Sequence, residues 1–532
     1  MPDKDPGQQV TAAIASSTSG EVSVVVKAGY CSKEKRYQLA GQKAERGAEA
    51  KAEATVQGKL WEDRLNTTYQ NGSLCAWVSS FHRDHLSCQL ADTVPYHGSY
   101  NAGLKFIFGD DTVWLLRFPR VGQVHDDYAD EKVAMEVAAI NLIRRDTTIP
   151  VPKIEAWGVA SQNPLGLGPF LIMEFIGGGI SLDDLFKDVH GGTRLVRDDL
   201  TDTEIATIYR QFTNFLLQLF KLDFDHIGSL DSPRPELHFP VRPLTWKVHD
   251  ILQSGGVNTF GERSRGFTST TEYFQYVAEQ DWEQLVHQTS STYDQYDAMA
   301  KYRSFKALQS VIPDYVHREY DRSKFKLICD DLGLANLMVR SRNDLTIIGV
   351  VDLEWSYIGP AQLFGSAPWW LLMDRPTNQV WDCHDGEPVQ ITNRYIRYLD
   401  MFKRILEEEE AKTPGYENHE LSRLVRWSED SGAMWLHMLL STGFNGPDSF
   451  PFTRLIQHIG EGEWEKRKRE ASDDEVAAFG AKKLRQLEQY NQDLEKIEAH
   501  IALVKEGKMK KEAFLTTYAP RSLPTMPPKG LC

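Results

Sequence analysis

The strongest constraint on the fold lies in one stretch: KFKLICDDLGLANLMV (324 to 339), followed after a short polar turn by LTIIGVVDLE (345 to 354). Leu337-Met338-Val339 and Leu345 to Leu353 read as two β-like pieces joined at Ser341-Arg342-Asn343-Asp344. Such a hairpin returns to its own edge, so it draws residues ahead of the first piece toward those that end the second. Asp331, Asn336 five places later, and Asp352 twenty-one places after Asp331 would then converge. Asp352 ends an apolar run, where a carboxylate is costly unless paired. Taken singly, an Asp-Asp pair is a solvated turn or cap and Asn336 a loop residue. Order, spacing and hairpin together point to an assembled site. Asp330 is read as structural. Cys329 is read as a buried inert thiol, because no His lies near it in sequence to activate it.

These residue types suit phosphoryl transfer. That reaction needs a hydroxyl held in line with a terminal phosphate, and a metal to neutralise charge. Asp331 is the candidate proton acceptor. Asn336 and Asp352 are candidate ligands for Mg²⁺, a hard ion that takes oxygen donors. Glu354 faces the same side by alternation if the strand extends that far.

Bulk properties narrow the partners. A formal charge of −15 argues against a general nucleic-acid binder, though not against a local basic pocket for phosphate. No run approaches the ~18 apolar residues that would span a bilayer. The six cysteines form no CxxC pair, which suggests free thiols in a reducing compartment. The start of the chain has neither a secretory pattern nor an Arg-rich presequence, and the end lacks the prenylation pattern. A cytosolic location is expected by elimination.

Along the chain, residues 1–59 are expected as a disordered or solvated helical extension, with packing beginning near Trp61. Leu104 to Phe108 and Val113 to Phe118, around Gly109-Asp110-Asp111, read as a hairpin. A helix follows, with Glu131, Val133, Glu136, Val137, Ile140 and Ile143 on one face. The prolines of TTIPVPKIEAWG rule out helix there, and PFLIMEFI reads as a strand ended by Gly177-Gly178-Gly179, giving β-β-α-β. The rest is mostly helical. Thr201 with Glu204 and Ser472 with Glu475 form capping boxes. The last helix carries a seam from Leu487 to Val504, either a coiled coil or a helix lying on its own domain. The expected fold is α+β in two lobes. Residues 60–176 form a small antiparallel lobe with one helix, 177–470 a larger helical lobe carrying the catalytic loop, and 471–532 a charged helix and tail.

The motifs CDDLGLANLMV and TIIGVVDLEW resemble the core of the aminoglycoside phosphotransferase and choline kinase group, which has the protein-kinase-like fold. More narrowly, NPLGLGPFLIMEFI (163 to 176), RPLT (242 to 245), KFKLICDDL (324 to 332), VVDLEWSYIGPAQLF (350 to 364) and PWWLL (368 to 372) resemble a large fungal set of aminoglycoside-phosphotransferase-like proteins. The resemblance covers residues 94 to 380 and continues more weakly to 465. It implies that Asp331 is the catalytic Asp, that Asn336 and Asp352 hold Mg²⁺, and that Glu136 pairs with the cation on the phosphates of ATP. It further implies that the backbone of Glu174 and Ile176 meets adenine, and that the loop holding Ser99 and Asn101 covers the phosphates.

Two departures from the pattern stand out. Arg117 occupies the place of the phosphate-binding Lys, with Lys105 as the alternative, and Arg is not interchangeable with Lys. Cys329 stands where His is usual. Trp369 and Trp370 either wall an acceptor pocket, where a cation over Trp would be attracted, or pack a helix into the core. Glu354 and Asp374 would suit an amine-bearing acceptor. His249-Asp250 has no second His-Asp set at useful spacing and is read as surface. The expected activity is ATP- and Mg²⁺-dependent phosphorylation of a small hydroxyl compound. The alternative is a catalytically weak or inactive kinase-like module that binds nucleotide and a partner. A protein kinase ranks last, because neither Asp-Phe-Gly nor Ala-Pro-Glu follows Asp352. Neither the acceptor nor the oligomeric state is legible.

Overall fold

The computed structural model describes residues 48–91, 96–188, 195–322, 324–373, 389–441, 446–510, 513–514 and 517. Most of the N-terminal extension and the Pro-rich tail therefore lie outside the described residues. Two helices come first, α1 (Ala48–Gln70) and α2 (Ser73–Ser79), and among the described residues the first buried side chain is Leu65, near the expected start of packing at Trp61. Between them Gly72 has a φ of 78°, a left-handed value that glycine adopts without strain. Then follow β1 (Cys88–Leu90), β2 (Tyr96–His97), β3 (Asn101–Phe108), β4 (Val113–Pro119), α3 (Asp126–Asp146), β5 (Ile154–Gly158) and β6 (Phe170–Glu174). The expected β-β-α-β run is present, with β5 added by the Pro-bounded stretch.

These six strands form one antiparallel sheet in the order β1-β3-β4-β6-β5, with β2 pairing β3. Its faces differ because side chains alternate along a strand. On one face Leu104, Phe106 and Phe108 of β3 join Leu116 and Phe118 of β4, against Leu65, Leu74 and Val78 of the first helices. On the other face β3 and β4 pair Gly103 with Arg117 and Lys105 with Leu115, which sets both basic side chains on one side. α3 was expected to bury one face. It is buried all round from Glu131 to Ile140, and its charged residues there have partners. Glu131, for example, receives both Nη1 and Nη2 of Arg263.

The larger region contains β7 (Ile180–Ser181), α4 (Leu182–Phe186), α5 (Asp202–Phe220), α6 (Trp246–Gly255), α7 (Thr270–His287) and α8 (Gln295–Val311). β8 (Lys326–Cys329), β9 (Leu337–Ser341), β10 (Asp344–Val350) and β11 (Ser356–Gly359) follow, then α9 (Val389–Glu410), α10 (Glu420–Asp430), α11 (Ala433–Ser441), α12 (Phe450–Ile459), α13 (Glu461–Lys468) and α14 (Asp473–Lys505). Both capping boxes are present, at Thr201–Glu204 and Ser472–Glu475. α14 packs against α8 and α1, and Ile497 on its seam is buried beside Phe514. The seam is thus a helix lying on its own domain. The fold is mixed α and β, with a small antiparallel sheet and a larger, mostly helical region. Among the described residues no helix is long and apolar enough to cross a membrane.

Candidate active site

β8 pairs β11 antiparallel, Cys329 opposite Ser356, so the loop that starts at Asp330 lies beside the segment that follows Asp352. β9 and β10 form the expected hairpin. Within the loop, Leu332 N–H donates to Cys329 O at 3.1 Å. Asn336 Nδ2 donates to Asp331 O at 2.8 Å, which leaves its Oδ1 as the atom to offer a cation. Val351 N–H donates to Asn336 O at 3.0 Å and so ties the approach to Asp352 to the loop. The structure therefore brings Asp331, Asn336 and Asp352 together. β10 ends at Val350, so alternation does not place Glu354. Two bends do: Asp352 has φ 59° and Trp355 φ 63°, left-handed values that cost strain in non-glycine residues. Burial pushes the Cys329 thiol up to about 11, in keeping with an inert thiol.

A buried ionic network joins this loop to the sheet. Arg117 Nη1 binds Glu136 Oε1 and Nη2 binds Asp352 Oδ1, each at 2.6 Å. Beside them Lys132 pairs with Glu354, while Asn101 Oδ1 accepts from Lys132 at 3.0 Å and Asn101 Nδ2 donates to Glu354 Oε2 at 2.8 Å. Burial pulls Arg117 down, but the charges of Asp352, Glu136 and Glu354 outweigh it and hold the guanidinium above its ordinary range. Burial, then the charge of Asp352, pushes Glu354 up to about 7. Oxygens of Glu136, Asp352 and Glu354 lie within 4.8 Å of one another. Glu136 and Glu354 are occupied by Arg117 and Lys132, so of these three carboxylates Asp352, through its second oxygen, is the one that could hold a cation. Of the two candidate cations, Arg117 is the one on Glu136. Lys105 lies on the same sheet face, its Nζ 4.6 Å from the centre of the Phe175 ring.

Ser99 is exposed at the tip of the turn between β2 and β3, which Gly98 N–H closes onto Asn101 O at 2.9 Å. Asn101 reaches the site, but its amide is spent on the ionic network. Tyr100 turns inward instead. Its hydroxyl accepts from Trp246 Nε1 at 2.8 Å, and its ring meets Trp355 edge-on at 5.2 Å. Here one expectation needs correcting: His249 is 0% exposed. It sits against the rings of Tyr100 and Trp355 and accepts from His125 N–H at 3.1 Å, because the first turn of α6 is sealed by these aromatic groups rather than facing water. At the end of β6, Glu174 N–H donates to Lys153 O and Phe175 N–H to Val113 O. Ile176 carries the next amide beyond the strand, and its side chain packs over Gly349.

Trp370 is buried against Phe212, ring centres 4.7 Å apart, and it also lines a cavity beside the loop that starts at Asp330. The Trp369 side chain and Asp374 lie outside the described residues. Sequence reasoning missed Lys132, Tyr100 and Trp355. Lys132 had a usable signal, since it stands four residues before Glu136 and so shares its helix face. Tyr100 had none, because its role depends on α6, far along the chain.

No family model matches the chain. A stretch of 144 residues, 26% of the chain, is 26% identical to "Altered inheritance of mitochondria protein 9, mitochondrial" of Zygosaccharomyces rouxii, covering 22% of that protein. The protein of the same name from Komagataella phaffii is 28% identical over 144 residues, 26% of this chain and 23% of its own length. The match thus spans under a quarter of these relatives. Among solved structures, a macrolide 2'-phosphotransferase type I aligns over 75% of this chain and 96% of its own, with 11% identity and a TM-score of 0.36. A microcompartment-associated aminopropanol kinase aligns over 79% and 98%, with 14% identity and a TM-score of 0.33. The amicoumacin kinase hAmiN, in complex with AMP-PNP, Ca²⁺ and Ami, aligns over 74% and 87%, with 9% identity and a TM-score of 0.34. All three carry phosphotransferase or kinase in their names.

The cytosolic location expected above does not stand. Both relatives are named as mitochondrial proteins, which points to mitochondria instead. The expectation came by elimination from the composition of the first residues, and a targeting signal need not conform to the pattern sought there.

Proposed function

We propose that this chain transfers the γ-phosphoryl group of ATP to a hydroxyl of a small molecule, with Mg²⁺. The observation that carries the reading is the convergence of the Asp331–Asn336 loop, Asp352 and the Arg117–Glu136 pair at one place. Asp331 would orient the acceptor hydroxyl and take its proton as the phosphorus–oxygen bond forms. Arg117, fixed by Glu136, would hold the phosphates against the sheet, and Ile176 N–H would meet adenine. Asn336 Oδ1 and Asp352 would hold the metal, which when bound neutralises charge on the transferring phosphate. Tyr100 and Trp355, packed beside the Lys132–Glu354 pair, would keep water from competing with the acceptor. Residues 60–176 would form the nucleotide-binding lobe and 177–470 the acceptor lobe. The names of the two relatives support a mitochondrial setting.

The test is Mg²⁺-dependent turnover of ATP by the full chain, lost in Asp331→Ala. Equal background in both proteins would end the reading. A second reading, a nucleotide-binding module without turnover, is favoured by one observation: Arg117 occupies an oxygen of Asp352, which metal would otherwise use. It predicts stabilisation by MgADP in a protein that never consumes ATP.

A further inference from the structure

A cavity of about 190 Å³ lies behind the catalytic loop. On the loop side its wall is Cys329, Asp330 and Leu332, the neighbours of Asp331. Asp330, read from sequence as merely structural, faces this space, and its charge reaches the hydroxyls of Tyr273 and Tyr357. The far wall is apolar and comes from four elements: Phe212 on α5, Phe274 and Val277 on α7, Trp370, and Met438 on α11. Two features limit what such a space can hold.

The first is charge. Among the described residues Asp330 is the only carboxylate in the wall, so a polyamine has no set of acidic partners there. His437, also in the wall, adds no charge, because burial holds its ring neutral, with a pKa pushed down to about 3. The second is Lys247. It lines the cavity, is 3% exposed, and donates to Asp281 Oδ2 at 2.8 Å and Leu440 O at 3.1 Å. An ammonium has three donors, so one is left for a ligand oxygen. Asp281 already balances its charge, which makes a neutral oxygen a better partner than an anion.

We infer that this cavity receives the apolar part of the phosphoryl acceptor: a neutral alcohol carrying one aromatic ring and a further ether or carbonyl oxygen for Lys247, its hydroxyl toward the loop wall of Cys329, Asp330 and Leu332. The size agrees, since a cavity of about 150 Å³ accepts benzene. The inference rests on the phosphotransferase reading and narrows it away from amine-rich acceptors.

The test is saturation-transfer NMR on the full chain with 4-methoxybenzyl alcohol, with kanamycin as the polyamine comparison. The expected result is transfer to the ring protons of the alcohol and none to kanamycin, with binding at least tenfold weaker in Val277→Phe. No transfer to the alcohol, or equal transfer in a folded Val277→Phe, overturns the inference. If Val277→Phe fails to fold, Val277→Ala decides. It should bind 2-naphthylmethanol more tightly than wild type does, and an unchanged preference again overturns the inference. MgADP binding is measured separately on wild type. Its absence strikes the phosphotransferase reading, whereas alcohol binding reports the cavity alone.

Discussion

Arg117 binds Glu136 with one guanidinium nitrogen and Asp352 with the other, and both contacts measure 2.6 Å. One side chain on β4 thereby fixes α3 and the end of the β9–β10 hairpin at the same point. A planar fork can bridge two carboxylates at once, and an ammonium on a flexible stem cannot do so with the same geometry.

Removing that fork leaves Glu136 buried without its counter-charge. Arg117→Met should cost about 3–5 kcal/mol in urea unfolding, and Arg117→Met with Glu136→Leu should recover part of it. Arg117→Lys should fold but bind MgADP more weakly. A loss below about 1 kcal/mol for Arg117→Met would show that the pair contributes little.

Metal binding and proton acceptance separate by residue. Asp352→Asn should lose most of the Mg²⁺-dependent part of the thermal shift with ADP. Asp331→Asn should keep that shift and lose turnover by about 10²-fold or more, the usual range for a general base. The opposite pattern in calorimetry and turnover assays would reverse the two assignments.

His437 should make stability fall in acid. Gln362 Oε1 accepts from His317 N–H, which orients its amide, so Gln362 Nε2 donates to His437 Nε2 at 2.7 Å and His437 Nδ1–H donates to Ser366 Oγ at 2.6 Å. A charged ring would set two donors against each other. Its folded pKa, pushed down to about 3 by burial, lies below the ordinary 6.5. Between those values the unfolded chain binds more protons, so stability drops as pH falls from 6.5 toward 3. His437→Asn should be less stable at neutral pH, and its melting temperature should vary less across that window.

Gly349 lies against Ile176, whose N–H is proposed to meet adenine. A Cβ there would meet Ile176 Cδ1 at 2.5 Å, a flexible tip that can move aside. Gly349→Ala should therefore displace Ile176 and weaken ADP binding severalfold, with little change in melting temperature. A titration showing unchanged affinity would place adenine elsewhere.

The hairpin, the order of strands around α3 and both capping boxes were legible because each depends on neighbours within a few residues. So was the meeting of Asp331, Asn336 and Asp352, which two strands and a turn impose. Glu354 does reach the site as expected, but through left-handed backbone at Asp352 rather than strand alternation, and the same bend hid the position of Trp355. The buried His249 was misread for a related reason. Its cover comes from Tyr100 and Trp355, more than 100 residues away on either side, and no local pattern announces such a partner. Location was the weakest inference, since it rested on what the chain's first residues lacked.

Helix α1 reaches both parts of the molecule. Trp61 Nε1 donates to Leu167 O at 2.9 Å and Arg64 Nη1 to Gly166 O at 2.7 Å, both in the loop ahead of β6, while the same helix packs against α14. It ties the loop ahead of β6 to the last long helix. If the proposed nucleotide enters by an opening motion between these parts, that motion must stretch or release the tie, so its entry and exit should be slow for the affinity reached, and trimming α1 should quicken both.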